Sequence, residues 1–451
     1  MEIRIPMPES VPLLPPGEEE MFAEKEKEQE EIYIPKKKKR GSGFFAAALL
    51  PALLVCAFGV YLLASCTHAS KTSFTLSHEP SEKATLPHNA YLEGDELRGA
   101  FVASAFNIDF PSALTLGADE LRAELDKIVQ KAKENSLNTL FFQVSPYSDA
   151  LWASSILPSS YLFTGTEGQT PPGGLDALSY LCEAAGKEGI AVYAWVNPMR
   201  ITSGVLPESA LAKTNPAVMH PEWTVRYDGQ LYYDLGCPEA RGLYARVCAE
   251  IVSGYDVRGI IFDDYFYPYP KEGQSFDDSA SYEKYGDGRS LEDYRRASST
   301  ALVKECRDAI KAVRADALMG VAPFGIWRND DGQNGGSQTL GFESYSGVFC
   351  DTLGMAKEGA LDFIAPQIYW EKGNEHADFD TVCSWWSQAL EDLDVKYCVS
   401  LAATNADTWG AGELVRQVEF ARGMDNYAGC IFYSLGAIER EVTKCFSEKA
   451  E

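Results

Sequence analysis

From residue 97 onward the chain repeats one unit: a short apolar run, a polar or aromatic tip, then an amphipathic stretch. The apolar runs at 99–106, 139–144, 191–196, 259–262, 319–323, 363–368, 397–401 and 429–433 read as strands. Runs that are apolar on both faces suit a buried parallel sheet, and parallel neighbours need a crossover between them. The intervening segments supply it: 117–135, with Leu121, Leu125, Ile128 and Val129 on one helical face, and likewise 175–187, 239–252 and 291–313. Eight alternations specify an α/β fold of the (β/α)8 TIM-barrel type across residues 95–445. A doubly wound open sheet is the alternative, but no Gly-rich phosphate loop follows the first strand.

Three segments precede this domain. Residues 1–43 are Pro- and Glu-rich and end in Lys36-Lys37-Lys38-Lys39-Arg40, which reads as a disordered cytoplasmic tail with a basic flank. Residues 44–66 hold an uncharged apolar stretch of about the length that spans a bilayer. The basic flank puts the N-terminus inside and the remainder outside the cell. This segment is either an uncleaved single-pass transmembrane anchor or a lipoprotein signal, since Leu63-Ala64-Ser65-Cys66 ends in a cysteine open to acylation. Residues 67–94 read as a stalk. The chain is thus expected at the cell membrane with its large domain extracytoplasmic.

The net charge of −26 disfavours binding to nucleic-acid phosphates. The cysteines beyond the membrane segment form no CxxC pair and read as buried free thiols. Only His220 and His376 lie beyond the stalk, so no metal centre or other cofactor is expected.

The segment Gly259-Ile260-Ile261-Phe262-Asp263-Asp264-Tyr265-Phe266-Tyr267-Pro268 carries the chemistry. Alternation puts Ile261 and Asp263 on the inward face of a strand whose C-terminal end is where barrel enzymes react, and turns Asp264 to the rim. Other strands end in residues suited to a sugar: Asn107 and Asp109; Gln143 and Asp149; Trp195, Asn197 and Arg200; Trp327 and Arg328; Gln367, Tyr369, Trp370 and Glu371. Aromatic faces stack on sugar C–H surfaces while amides, carboxylates and guanidinium groups bond hydroxyls, and Tyr265 adds another ring. Glycosidic cleavage needs a general acid and a second carboxylate as nucleophile or base. Asp263 is assigned the second role, with Asp264 as competitor or partner. Glu371 and Asp149 are the candidates for the acid.

The same segments resemble a known family. Arg98-Gly99-Ala100-Phe101-Val102, Asn107-Ile108-Asp109-Phe110-Pro111-Ser112, Phe141-Phe142-Gln143-Val144, Ala194-Trp195-Val196-Asn197-Pro198 and His220-Pro221-Glu222-Trp223 are similar to the glycosyl-hydrolase-like family ten proteins. So are Phe262-Asp263-Asp264-Tyr265-Phe266-Tyr267-Pro268, Pro323-Phe324-Gly325-Ile326-Trp327-Arg328-Asn329 and Pro366-Gln367-Ile368-Tyr369-Trp370. The pattern is departed from at Ser145, where Arg is usual, and at Asp234, where Asn is usual. The resemblance implies a TIM barrel of bacterial secreted or membrane-anchored proteins and a glycosidase activity directed at cell-wall glycan. A catalytically inactive glycan-binding protein using the same cleft is the rival reading.

Overall fold

The computed structural model describes residues 95–447 apart from 205, 264 and 265. The expected tail, membrane segment and stalk, and the assignments to Asp264 and Tyr265, lie outside the described residues. The strands are β1 (Leu97–Val102), β2 (Thr139–Ser145), β3 (Ala191–Val196), β4 (Thr224–Tyr227), β5 (Gln230–Tyr233), β6 (Gly259–Phe262), β7 (Leu318–Val321), β8 (Phe363–Ile364), β9 (Lys396–Ala402) and β10 (Tyr427–Tyr433). All but β4 and β5 are parallel neighbours in one closed barrel, where β10 returns to pair with β1 at Leu97↔Gly429. The expected eight-stranded barrel is therefore present.

Helices α1 (Ala118–Glu134), α2 (Ala177–Lys187), α3 (Pro238–Gly254), α4 (Leu291–Val313), α5 (Thr352–Lys357), α6 (Phe379–Ala389), α7 (Ala411–Ala421) and α8 (Arg440–Ser447) alternate with these strands. Each buries the face its sequence pattern marks. In α1 these are Leu121, Leu125, Ile128, Val129 and Ala132, and the Glu120 carboxylate bonds the N–H of Gly117 at the helix start. Ser290 caps α4 by accepting from the N–H of Asp293.

Two separate apolar groups fill the fold. One lies between barrel and helices. The other fills the barrel interior and includes Phe101, Phe141, Tyr193, Trp195, Ile261, Phe363, Tyr369 and Tyr433. Interior rings of this size fit because facing strands carry glycine. A methyl group on Gly99 would come within 2.8 Å of the Phe141 ring, and one on Gly320 would overlap the Phe363 ring. Phe141 in turn stacks on Tyr193 at 4.9 Å.

Several strand ends fall short of expectation. β1 stops at Val102 rather than Phe106, because Phe106 and Asn107 take positive φ (53° and 54°) and the chain turns. β7 stops at Val321 and β8 at Ile364, since Pro323 and Pro366 lack the N–H a ladder needs. Single pairings Phe324↔Gln367 and Gln367↔Ser400 carry the contact a little further. The excursion between β3 and β6 holds an unexpected hairpin, β4–β5, turned by Asp228 and Gly229 with φ 50° and 73°.

Candidate active site

Asp263 follows the last residue of β6, at the C-terminal mouth of the barrel. The preceding inward residue, Ile261, belongs to the interior cluster, so the expected parity holds. The Asp263 side chain is buried, and two donors converge on its Oδ2: Trp195 Nε1 at 3.1 Å and Asn197 Nδ2 at 2.5 Å. Trp195 is an inward position of β3 and Asn197 the next one, just past its end, and β3 lies beside β6, so adjacency in the sheet brings these three groups together. Trp195 is itself held edge-on to Phe101 at 5.2 Å.

Behind Asn197 stands Gln143 at the end of β2. Its Nε2 donates to Asn197 Oδ1 at 2.6 Å, and its Oε1 accepts from the backbone N–H groups of Ser104 and Ala105, each at 2.8 Å. Gln143 and Asn197 are both fully buried. Both side chains are thus bonded to protein groups, and Asn197 reaches Asp263 directly.

The remaining sequence candidates divide by what holds them. Asp109 is engaged in joining the barrel's ends: Oδ2 accepts from the N–H of Ala103, and Oδ1 from Ser434 Oγ and the N–H of Gly436. Asn107 donates to the carbonyl of Pro111. Gln367 donates to the carbonyl of Ala322, across the β7–β8 seam. Tyr369 stacks on Tyr433 at 6.0 Å within the interior cluster. Trp370 is half-buried, edge-on to Phe324 at 5.6 Å. Trp327 is buried, bonds Asp351 through Nε1 at 2.9 Å and stacks on Trp385, so it serves the loop's own core. Arg328 lies over the Tyr345 ring at 4.5 Å. Glu371 is exposed in the turn after Trp370, whereas Asp263 lies inside the mouth.

Asp149 belongs to a second buried group. Its Oδ2 accepts from Ser160 Oγ at 2.5 Å and from the N–H of Tyr161 at 3.2 Å, and its side chain is fully out of contact with solvent. Glu167 lies near it, accepting from Asn215 Nδ2 at 2.9 Å and from the N–H of Ala212. Burial pushes the Asp149 carboxyl well above the usual carboxylate range, with the Glu167 charge adding to the effect. Burial likewise lifts Glu167 to about 7, against the pull of its two N–H donors. Arg200 sits 5.0 Å over the ring of Tyr147, whose hydroxyl burial pushes up to about 12. Asp149 is thus held inside the protein beside Glu167, out of contact with solvent.

Sequence reasoning passed over Trp409, which is half-buried against the barrel-interior cluster just beyond β9, and Tyr433 at the end of β10. Tyr433 ends its strand, the same signal that marked Trp195 and Tyr369, whereas Trp409 closes a short helix, Ala406–Trp409, beyond β9. Among the described residues no three His, Cys, Asp or Glu side chains converge to hold a metal.

The family described as glycosyl hydrolase-like 10 matches residues 96–408. The glycosyl hydrolase YngK of Bacillus subtilis is 36% identical to this chain over 361 residues, covering 78% of this chain and 70% of that one. The glycosyl hydrolase DigH of Escherichia coli K12 is 30% identical over 412 residues, covering 85% of this chain and 92% of that one.

Proposed function

This chain belongs to the glycosyl hydrolase-like 10 family and is a glycoside hydrolase, and from that premise we propose that it cleaves a bacterial cell-wall glycan of the peptidoglycan type, with Asp263 as the carboxylate that acts at the anomeric carbon. The observation that carries this reading is the pair of N–H donors on Asp263 Oδ2, at the one end of the barrel where such enzymes react. Hydrogen bonds from Trp195 and Asn197 hold the carboxylate in a single orientation, which lowers the cost of bringing it to the reacting carbon. The partner acid is Asp264, its neighbour in sequence, or Glu371 on the turn beyond β8. Trp370 and Trp409, both half-buried, offer ring surface for pyranose stacking.

The cell-wall substrate follows from placing the enzyme outside the cell, which rests on the apolar segment at 44–66 and its basic flank. The test is incubation of the purified protein with peptide-free glycan strands, followed by mass spectrometry of the soluble products. Shortened, reducing-end-bearing oligosaccharides are expected. Saturable binding without products would establish a glycan-binding protein instead.

A further inference from the structure

A polymer substrate cannot touch Gln143 or Asn197, yet the chain of amides they form ends on the acid assigned to the chemistry. The direction of that chain is fixed at its far end. Backbone N–H groups only donate, so those of Ser104 and Ala105 keep the Gln143 oxygen on their side and leave its amino group facing Asn197. An amino group also only donates, so Asn197 must turn its oxygen toward Gln143 and its Nδ2 toward Asp263. Two peptide groups beyond β1 therefore decide that Asp263 meets an N–H and never a carbonyl.

We propose that Gln143 is a positioning residue that governs the protonation of Asp263 by locking the orientation of the Asn197 amide. The proposal deepens, and rests on, the reading of Asp263 as the working carboxylate. With the lock in place Asn197 stabilises the anionic side chain. With the amide reversed, its carbonyl would oppose Asp263 Oδ2 and disfavour the anion. The other titratable groups gathered with Trp195 are Tyr193 and Cys398, whose pKa values burial raises, and Tyr369 and Tyr433, and Asp264 adjoins in sequence.

Gln143→Glu separates these states. Once ionised, the introduced carboxylate still accepts from both backbone N–H groups but donates nothing, so Asn197 must reverse. Because Trp195 Nε1 donates to the same oxygen of Asp263, its indole N–H resonance reports the titration without any substrate. In the full-length protein, with that resonance assigned through Trp195→Phe, Gln143→Glu is expected to raise the midpoint by about one pH unit or more. In an Asn197→Ala background the same substitution should move it by less than half as much, since only through-space charge remains. Equal shifts in both backgrounds, or none in either, overturn the proposal. Should Gln143→Glu fail to fold, Gln143→Met removes the lock without adding charge. It is expected to raise the midpoint by a fraction of a unit, and an unchanged midpoint would count against the proposal. These titrations stand whether or not glycan is turned over, so a failure of the proposed activity is told apart from a failure of the relay.

Discussion

At the residue scale, Trp195 and Glu167 use burial in opposite ways. Trp195 spends its single donor on Asp263 while its ring fills the barrel interior. Trp195→Phe keeps an aromatic ring but removes the N–H together with part of the ring volume that fills the barrel interior. Turnover is expected to fall roughly tenfold, in line with a net hydrogen-bond contribution of about 1.5 kcal/mol to a charged acceptor, and urea stability by about 1–2 kcal/mol because the smaller ring leaves a void in the barrel interior. Glu167 lies away from the proposed chemistry, and its effect is on folding. Its carboxyl titrates near 7 when folded and near ~4.3 when unfolded, so the native state holds the extra proton between those values. Stability should therefore fall as pH rises across that window, by at most about 4 kcal/mol from this group, with Asp149 acting in the same direction. Glu167→Gln leaves one of two N–H donors without an acceptor and so lowers stability at every pH, but it should flatten that slope. Denaturation midpoints measured at acidic and mildly alkaline pH distinguish the two effects. Gln143, Asn197 and Asp149 were legible as polar residues at strand ends, but their supporting roles were not. Whether such a side chain faces a cleft or is sealed depends on neighbours 66 residues away, as with Asn197 and Asp263, or 39 away, as with Gln143 and Ser104.

At the scale of elements, strand and helix cores were readable and their ends were not. The 291–313 helix matches the sequence pattern at both ends because Ser290 caps it and the apolar periodicity runs its full length. β1, β7 and β8 end early because backbone geometry at Phe106 and the missing N–H groups of Pro323 and Pro366 override local β propensity. The β4–β5 hairpin had a readable signal in Tyr227-Asp228-Gly229-Gln230, a turn of the Asp-Gly kind between alternating residues. The glycines inside β1 and β7 are strand elements in their own right, since they make room for rings on the next strands. Gly320→Ala is expected to destabilise the barrel by about 1–3 kcal/mol through overpacking against Phe363. In a Phe363→Leu background the same substitution should cost less, and equal costs in the two backgrounds by chemical denaturation would refute the contact as the cause.

At the scale of the molecule, closure of the barrel converts sequence separation into a single mouth. The seam between first and last strands is held by Asp109 above and, below, by Glu96, which accepts from Arg422 Nε at 2.6 Å and Nη2 at 2.7 Å. Eight alternations were enough to anticipate this closure. They also anticipated that Asp263 faces inward, because parity along β6 admits only one choice once Ile261 is inside. The measurement that tests the central claim most directly is hydrolysis of peptide-free glycan in ¹⁸O-labelled water by the native protein and by Asp263→Asn. One labelled oxygen at each new reducing end is predicted for the native protein, with the rate falling at least about a hundredfold in the variant while its fold persists. Label incorporation by Asp263→Asn at the native rate would contradict the account.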